Sequence, residues 1–219
     1  MKKFKITLLV CCLLGLSYQN FALADDQTQT VVTSQKVADS SNPYTLIATL
    51  ADNTFSSIKA NKDKLSDAMV ARKIIETELL PYIDNKYAAY KVIGSNLKNT
   101  TEKQRDDFTQ AFTKYIVATY ADALKKYTNQ SIEVQTPEEI KDKIVAVKVF
   151  IKEAGKPDLE VIFKMRQNQK TNTWKAYDMV AEGISLLSAK QSELSSLIRQ
   201  HGIDYVSNML EEHVKNTAK

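Results

Sequence analysis

The spacing of apolar residues changes from a helical period to a period of two near residue 130 and then changes back. Over residues 43–124, apolar side chains recur every three or four positions, as they do on the buried face of a helix. Over residues 132–180 they alternate with polar side chains, which is typical of strands with one solvated face. Helical spacing returns over residues 185–214. This order predicts an α+β fold, in which an antiparallel sheet of about four strands packs against N-terminal and C-terminal helices.

The first residues predict export. Three lysines among the first five residues precede an apolar run over residues 6–16, and Ala22-Leu23-Ala24 fits the cleavage pattern of a secretory signal peptide. The apolar run is too short to span a bilayer, and no second run of about 20 apolar residues follows it. We therefore predict a signal peptide over residues 1–24 that is cleaved after Ala24. Both cysteines lie inside it, so we expect no disulfide or thiol chemistry in the remaining chain.

The basic balance of the chain belongs largely to this predicted signal peptide. The formal net charge is +4, and residues 1–24 contain three lysines and no acidic residue. The rest of the chain is therefore nearly neutral, which disfavours binding to nucleic acid.

The remaining residues predict one domain with a polar segment at each end. Residues 25–41 are rich in Gln, Thr, Ser and Asp and show no apolar periodicity, so we expect a flexible leader. Asn42 and Pro43 suit the cap and the first position of a helix. We expect a single domain over residues 42–214 and a polar tail over residues 215–219.

No group of residues carries a strong catalytic signature. Asp178 and Glu182 would suit a hydrolase with paired carboxylates, but the pattern there is that of a strand that is ending, which favours structural roles. Ser185 lacks the glycine pattern of a nucleophile elbow and is a better candidate for a helix cap. His201 and His213 do not have the spacing of a paired ligand set. We therefore predict no catalytic residues, no metal and no cofactor.

Several stretches together resemble one protein family. They are Asn42-Pro43-Tyr44 and residues 78–82, 86–88, 108–120, 174–187, 188–191 and 202–204. The stretch 174–187 is the most specific of them. These stretches resemble the MlaC family, the periplasmic phospholipid-binding component of the Mla lipid-transport system, and the resemblance covers about residues 42–210.

The resemblance implies a soluble periplasmic protein with a single phospholipid-binding domain, whose apolar pocket lies between a curved sheet and its helices. Such a protein takes up acyl tails in the pocket, leaves the head group near the mouth and helps to maintain the lipid asymmetry of the outer membrane. The implied partners are phospholipid, an inner-membrane ABC transporter with an MCE-domain subunit and an outer-membrane lipoprotein–porin complex. We expect a monomer that is not an enzyme.

The candidate contacts with acyl tails are apolar residues of two kinds. On the strands, alternation places on shared faces Val145, Val147, Val149, Val161, Phe163 and Met165. The helices and the stretch 174–187 add Tyr87, Phe112, Tyr115, Ile116, Met179, Ile184 and Leu187. The resemblance also implies a pocket mouth at Pro81, Tyr82 and Lys86. The sequence has no obvious basic cluster for a head group, so we expect the tails to be recognised instead.

Two other functions remain open at this point. One is a secreted envelope hydrolase that uses Asp178 and Glu182, and it predicts that Asp178→Asn or Glu182→Gln impairs activity. The other is a structural adaptor that binds no lipid, and it predicts a solid core without an internal cavity.

Overall fold

A computed structural model of the chain describes residues 36–125 and 129–217. The predicted signal peptide over residues 1–24, its cleavage after Ala24, the leader up to residue 35 and the last two residues of the predicted tail lie outside the described residues.

Six α-helices and one five-stranded sheet form the described part of the chain. The helices are α1 (Pro43–Ala60), α2 (Ala68–Ile74), α3 (Asn85–Ile93), α4 (Glu102–Leu124), α5 (Leu186–His201) and α6 (Ile203–Asn216). The strands are β1 (Ser131–Val134), β2 (Ile144–Lys152), β3 (Leu159–Gln167), β4 (Trp174–Ala181) and β5 (Ile184–Ser185). Each strand pairs antiparallel with the next, in the order β1-β2-β3-β4-β5.

The predicted α+β class with an antiparallel sheet is confirmed, and the sheet has one short strand more than expected. None of the described helices is both long enough and apolar enough to cross a bilayer.

The spacing of apolar residues predicts one helix over about residues 64–80, but the structure divides this region into shorter pieces. Helix α2 is followed by a π-helical turn, Ile75–Leu79, and by a 3₁₀ turn, Leu80–Tyr82. Pro81 has no N–H to donate and its ring crowds the preceding turn, which explains why the regular helix does not continue. Helix α3 begins only after this break.

Two helix starts follow from local sequence patterns, the capping-box pattern Thr101-Glu102-Lys103-Gln104 and the cap candidate Ser185, and both are confirmed. Helix α4 begins with a capping box, in which the Thr101 hydroxyl accepts a hydrogen bond from the Gln104 N–H at 3.2 Å and the Gln104 side chain accepts one from the Thr101 N–H at 3.0 Å. The Ser185 hydroxyl caps α5 by accepting a hydrogen bond from the Ser188 N–H at 3.0 Å.

The sheet has an apolar face and a charged face, and a β-bulge decides which side chains of β4 belong to each. Val147 of β2 lies opposite Phe163 of β3 on the apolar face. The register between β3 and β4 shifts by one residue just after Lys164. Phe163 is consequently paired with Met179, whereas Lys164 is paired with Asp178 on the charged face.

The buried apolar residues of the described chain fall into three clusters. The first, which we call the sheet cluster, lies between α1 and the apolar face of the sheet and contains Ala38, Tyr44, Leu46, Ile47, Leu50, Val147, Val149, Met165, Trp174 and Ala176. The second, the helix cluster, joins α3, α4, α5 and α6 through Ala88, Ala89, Val92, Ile93, Phe108, Ala111, Phe112, Leu194, Ile198, Ile203, Val206 and Leu210. A smaller cluster contains Ile58, Leu65, Val70 and Ile74. A domain usually has one contiguous core with small satellites, so the division between the sheet cluster and the helix cluster is unusual.

The packed domain begins before the predicted boundary at Asn42. Ala38 is buried in the sheet cluster, and the carbonyl of Ser40 accepts a hydrogen bond from the N–H of Trp174 at 2.7 Å. The end of the expected flexible leader therefore packs against the sheet, because a small side chain and a backbone carbonyl meet the start of β4 there.

Two short backbone segments cover the edge of β4 that faces away from β3. Strand β5 pairs with one end of β4 across a two-residue turn, in which Glu182 and Gly183 have φ angles of +50° and +78°, as in a type I′ turn. Near the other end, the N–H of Asp84 donates to the carbonyl of Ala176 at 2.8 Å. Strand β5 has two residues, which is too short for alternation in the sequence to reveal.

Candidate lipid-binding site

Five of the predicted tail contacts lie in or against the sheet cluster. They are Val145, Val147, Val149, Phe163 and Met165. Val147 and Met165 are each 0% exposed, so they are enclosed by protein atoms. Phe163 is half-buried at the border of the cluster and keeps accessible surface.

Four predicted contacts lie in or against the helix cluster instead. They are Phe112, Tyr115 and Ile116 of α4 and Leu187 of α5. Phe112 is buried, and the other three are half-buried at the border of the cluster. These nine predicted contacts therefore form two groups, one with the sheet cluster and one with the helix cluster.

Val161 and Met179 belong to neither cluster. Val161 is buried and Met179 is half-buried, and both lie on the apolar face, because Met179 is paired with Phe163 in the β3–β4 register. The apolar face thus continues beyond the sheet cluster to Val161, which is paired with Val149, and to Met179.

Two predicted contacts lie elsewhere. Ile184 is 61% exposed, because it belongs to the two-residue edge strand that no further strand covers. Its contact with acyl tails stays a prediction. The half-buried ring of Tyr87 packs edge-on against Tyr177, with centroids 5.1 Å apart, and under the guanidinium of Arg166 at 4.2 Å. Tyr87 is therefore part of a cationic and aromatic neighbourhood rather than of either apolar group.

The three residues predicted at the pocket mouth have different surroundings. Pro81 is exposed, and Tyr82 packs against the sheet cluster. Lys86 is exposed and forms an ion pair with Asp106 of α4 at 3.5 Å. Whether they form a pocket mouth therefore stays a prediction.

Asp178 fastens the start of α5 to the sheet. Its side chain is buried, and one carboxylate oxygen accepts a hydrogen bond from the Leu187 N–H at 3.0 Å. The other oxygen accepts one from the Ser185 hydroxyl at 2.7 Å and lies 3.0 Å from Nζ of Lys164. Two donors at the start of α5 and the ammonium group of Lys164 on β3 satisfy this carboxylate as a structural anion. Glu182 by contrast is exposed in the type I′ turn, so the two carboxylates have separate surroundings.

Tyr120 of α4 lies near Asp178. Burial raises the pKa of the Tyr120 hydroxyl to about 12, and the negative charge of Asp178 adds to this shift. The residue is half-buried. The spacing of apolar residues over 108–124 predicts an aromatic helix face that includes Tyr120, but it gives no sign that Asp178, far along the chain, lies near it.

Two clefts lie on the surface of the described chain. One, of about 370 Å³, lies between α4 and α6 and has a polar lining that does not suit acyl tails, formed by Asp107, Gln110, Asp204, Ser207, Asn208 and Glu211. The other, of about 450 Å³, lies near the β2–β3 turn and has a mixed lining, formed by Lys156, Pro157, Asp158, Leu159, Glu160, Ile162, Val180, Glu182 and Gly183. Among the described residues, no group of three or more His, Cys, Asp or Glu side chains is arranged to hold a metal ion.

Comparison with known sequences and structures gives consistent matches. The model of the MlaC family, described as MlaC protein, matches residues 48–212. The intermembrane phospholipid transport system binding protein MlaC of Haemophilus influenzae is 35% identical over 188 residues, which are 84% of this chain and 87% of that protein.

A solved structure also has this fold. The phospholipid-binding protein of Ralstonia solanacearum, determined in complex with a phospholipid, superposes with a TM-score of 0.72. The match covers 81% of this chain and 99% of that one at 20% sequence identity, so the likeness is one of fold.

We expect Asp178→Asn to lower the free energy of unfolding by about 1–3 kcal/mol, because the substitution leaves Lys164 without its partner and brings an amide donor towards other donors. Chemical denaturation measures this change. The matched control is Glu160→Gln, whose exposed ion pair with Lys148 at 3.6 Å should contribute no more than about 0.5 kcal/mol. Equal effects of the two substitutions would contradict the anchoring role of Asp178.

We expect the Tyr120 hydroxyl to ionise with a midpoint near pH 12 rather than at the ordinary tyrosine value of 10.0. The raised pKa means that the folded state favours the neutral phenol. Its contribution to stability is therefore present below pH 10 and is lost as the pH rises towards 12. The measurement is the tyrosinate absorbance of the wild type minus that of Tyr120→Phe. A difference titrating near pH 10 would show that Tyr120 faces open solvent.

Proposed function

Because the chain belongs to the MlaC family, we propose that it is a soluble periplasmic carrier that encloses the acyl tails of phospholipids. It exchanges lipid with an inner-membrane ABC transporter that has an MCE-domain subunit and with an outer-membrane lipoprotein–porin complex. It performs no catalysis, and its binding and release of lipid help to maintain the lipid asymmetry of the outer membrane.

The division between the sheet cluster and the helix cluster is the observation that supports this proposal most. Half-buried apolar side chains remain beside each cluster, with Phe163 on the sheet and Ile116 on α4, and Met179 is paired with Phe163. We propose that the acyl tails lie between the helix cluster and the β3–β4 part of the apolar face.

The energetics of lipid transfer suit an apolar slot of this kind. Each buried methylene contributes about 0.8 kcal/mol, so two tails with about 30 methylenes cost on the order of 20 kcal/mol in water. A carrier must offset most of this cost, yet it must not exceed it, because release would then stall. Two apolar walls without a charged group that binds the head group inside the slot would offset most of the transfer cost and still allow release.

The exchange partners are proposed from the family and from the name of the relative. The Haemophilus influenzae protein is named as the binding protein of an intermembrane phospholipid transport system. A carrier between two membranes needs a donor and an acceptor complex, and its own reversible binding leaves the direction of transport to the complex that supplies energy.

The hydrolase alternative receives less support than the carrier. Both oxygens of the Asp178 carboxylate accept hydrogen bonds from the start of α5, and Glu182 lies exposed in a tight turn. A paired-carboxylate mechanism needs both groups beside one scissile bond. We therefore assign Asp178 to anchoring and propose no reaction.

We expect the protein purified without detergent after expression of the full chain to contain phospholipid in near-stoichiometric amount, because empty apolar walls would expose surface to water. Extraction with organic solvent and mass spectrometry measure the content. Protein that is reproducibly empty and that takes up no lipid from liposomes would refute the carrier.

We expect Met179→Trp to reduce the bound phospholipid sharply while the protein stays folded, because a larger side chain at this half-buried position fills the proposed slot. The control is Val147→Trp at a fully enclosed position, which should instead lower the free energy of unfolding by about 1–3 kcal/mol through overpacking. Lipid extraction and chemical denaturation of both variants separate the two effects. Unchanged lipid content in a folded Met179→Trp protein would show that Met179 belongs to the core rather than to the slot.

A further inference from the structure

A group of cationic and aromatic side chains surrounds Tyr87 where α3 meets the charged face of the sheet. We call it the Tyr87 patch. It consists of Lys86, Tyr87, Tyr90 and Lys91 of α3 together with Lys164, Arg166, Lys175 and Tyr177 of β3 and β4.

Tyr87 holds the patch together. The guanidinium carbon of Arg166 lies 4.2 Å from the centre of its ring, and Nζ of Lys91 lies 5.5 Å from the same centre. Tyr177 meets the ring edge-on at 5.1 Å. Lys175 is paired with Arg166 across β3 and β4, so both side chains leave the sheet on the same face.

The patch has more positive than negative charge. Arg166 is paired with Asp84, and Lys86 is paired with Asp106. Lys164 is paired with Asp178. Lys91 is exposed and Lys175 is half-buried, and neither has an ion-pair partner among the described residues. Two cations of the patch therefore remain available for an external anion.

We propose that the Tyr87 patch docks the protein on an anionic phospholipid bilayer. Lysine beside tyrosine is the chemistry of the membrane interface, where the cation meets phosphate and the phenol ring sits among the head groups. The inference rests on the proposed carrier function, since a carrier that exchanges phospholipid with membranes has to approach a bilayer.

The expected contribution of the two unpaired lysines is large enough to measure. Each lysine close to an anionic membrane surface strengthens binding roughly fivefold, and the effect is screened by salt within about 8–10 Å. Replacing Lys91 and Lys175 together by glutamate should therefore weaken binding by roughly tenfold or more.

The test is flotation of the purified wild-type protein, from expression of the full chain, with vesicles of phosphatidylcholine alone or mixed with phosphatidylglycerol. We expect binding to the anionic vesicles, weaker binding at high salt and little binding to phosphatidylcholine. The double variant Lys91→Glu and Lys175→Glu should lose this binding, whereas Lys91→Arg and Lys175→Arg should keep it.

The matched control reverses the charge of two exposed lysines outside the patch, through the substitutions Lys64→Glu and Lys73→Glu. Lys73 lies in the last turn of α2, as Lys91 lies in the last turn of α3. Replacing either lysine by glutamate therefore has the same unfavourable interaction with the helix dipole. Binding by the control at close to the wild-type level supports the patch. An equal loss in both double variants would show a general charge effect and would overturn the proposal.

Lipid content measured on the same samples separates this proposal from the carrier function. Protein that contains phospholipid but binds neither kind of vesicle, or binds both equally, would overturn the docking surface and leave the carrier intact. Phospholipid-containing protein that binds neither kind of vesicle would indicate that the Tyr87 patch binds an acidic protein instead. Protein that floats with anionic vesicles through Lys91 and Lys175 but contains and takes up no phospholipid would support docking and overturn the carrier.

Discussion

The carboxylate of Asp178 joins the two layers of this fold at one point. It accepts hydrogen bonds from Ser185 and from the backbone of Leu187 at the start of α5, and it pairs with Lys164 of the neighbouring strand. The bulge in β4 is what directs Asp178 to the face of Lys164. Removing one partner of a buried carboxylate strongly destabilises a folded protein. This contact therefore fixes the position of the start of α5 relative to the sheet.

A polar junction of this kind allows the apolar residues to remain divided. If hydrophobic contact alone held the helices to the sheet, the two clusters would have to merge, and a ligand between them would compete with the contacts that maintain the fold. Here α1 covers one part of the apolar face, Asp178 holds α5, and the half-buried side chains of Phe163, Met179 and Ile116 are not required for either connection. In the proposed carrier, filling and emptying the slot would change the hydration of these side chains while the junction stays in place.

The features that the sequence predicted well depend on residues close together in the chain. The change of apolar period predicted the fold class, and the helix starts at Thr101 and Ser185 followed from local hydrogen-bonding groups. The β-bulge could not be foreseen, because an extra residue leaves the composition of a strand unchanged. Alternation grouped the predicted tail contacts by face but could not tell which cluster each would join. It also could not show that Ile184 lies exposed on an edge strand after a tight turn. The Tyr87 patch was missed because its cations come from α3, β3 and β4.

The covered edge of β4 has a consequence for a protein that must stay dispersed while it exposes apolar surface. An open strand edge is a template on which a second molecule can extend the sheet, and apolar side chains beside it would strengthen such a pairing. Strand β5 pairs with one end of this edge and the backbone of Asp84 pairs with the other. The edge of β4 therefore has no long row of unpaired amides next to the apolar face. Two fragments of backbone, each too short to be a stable strand alone, thereby act against self-association and aggregation.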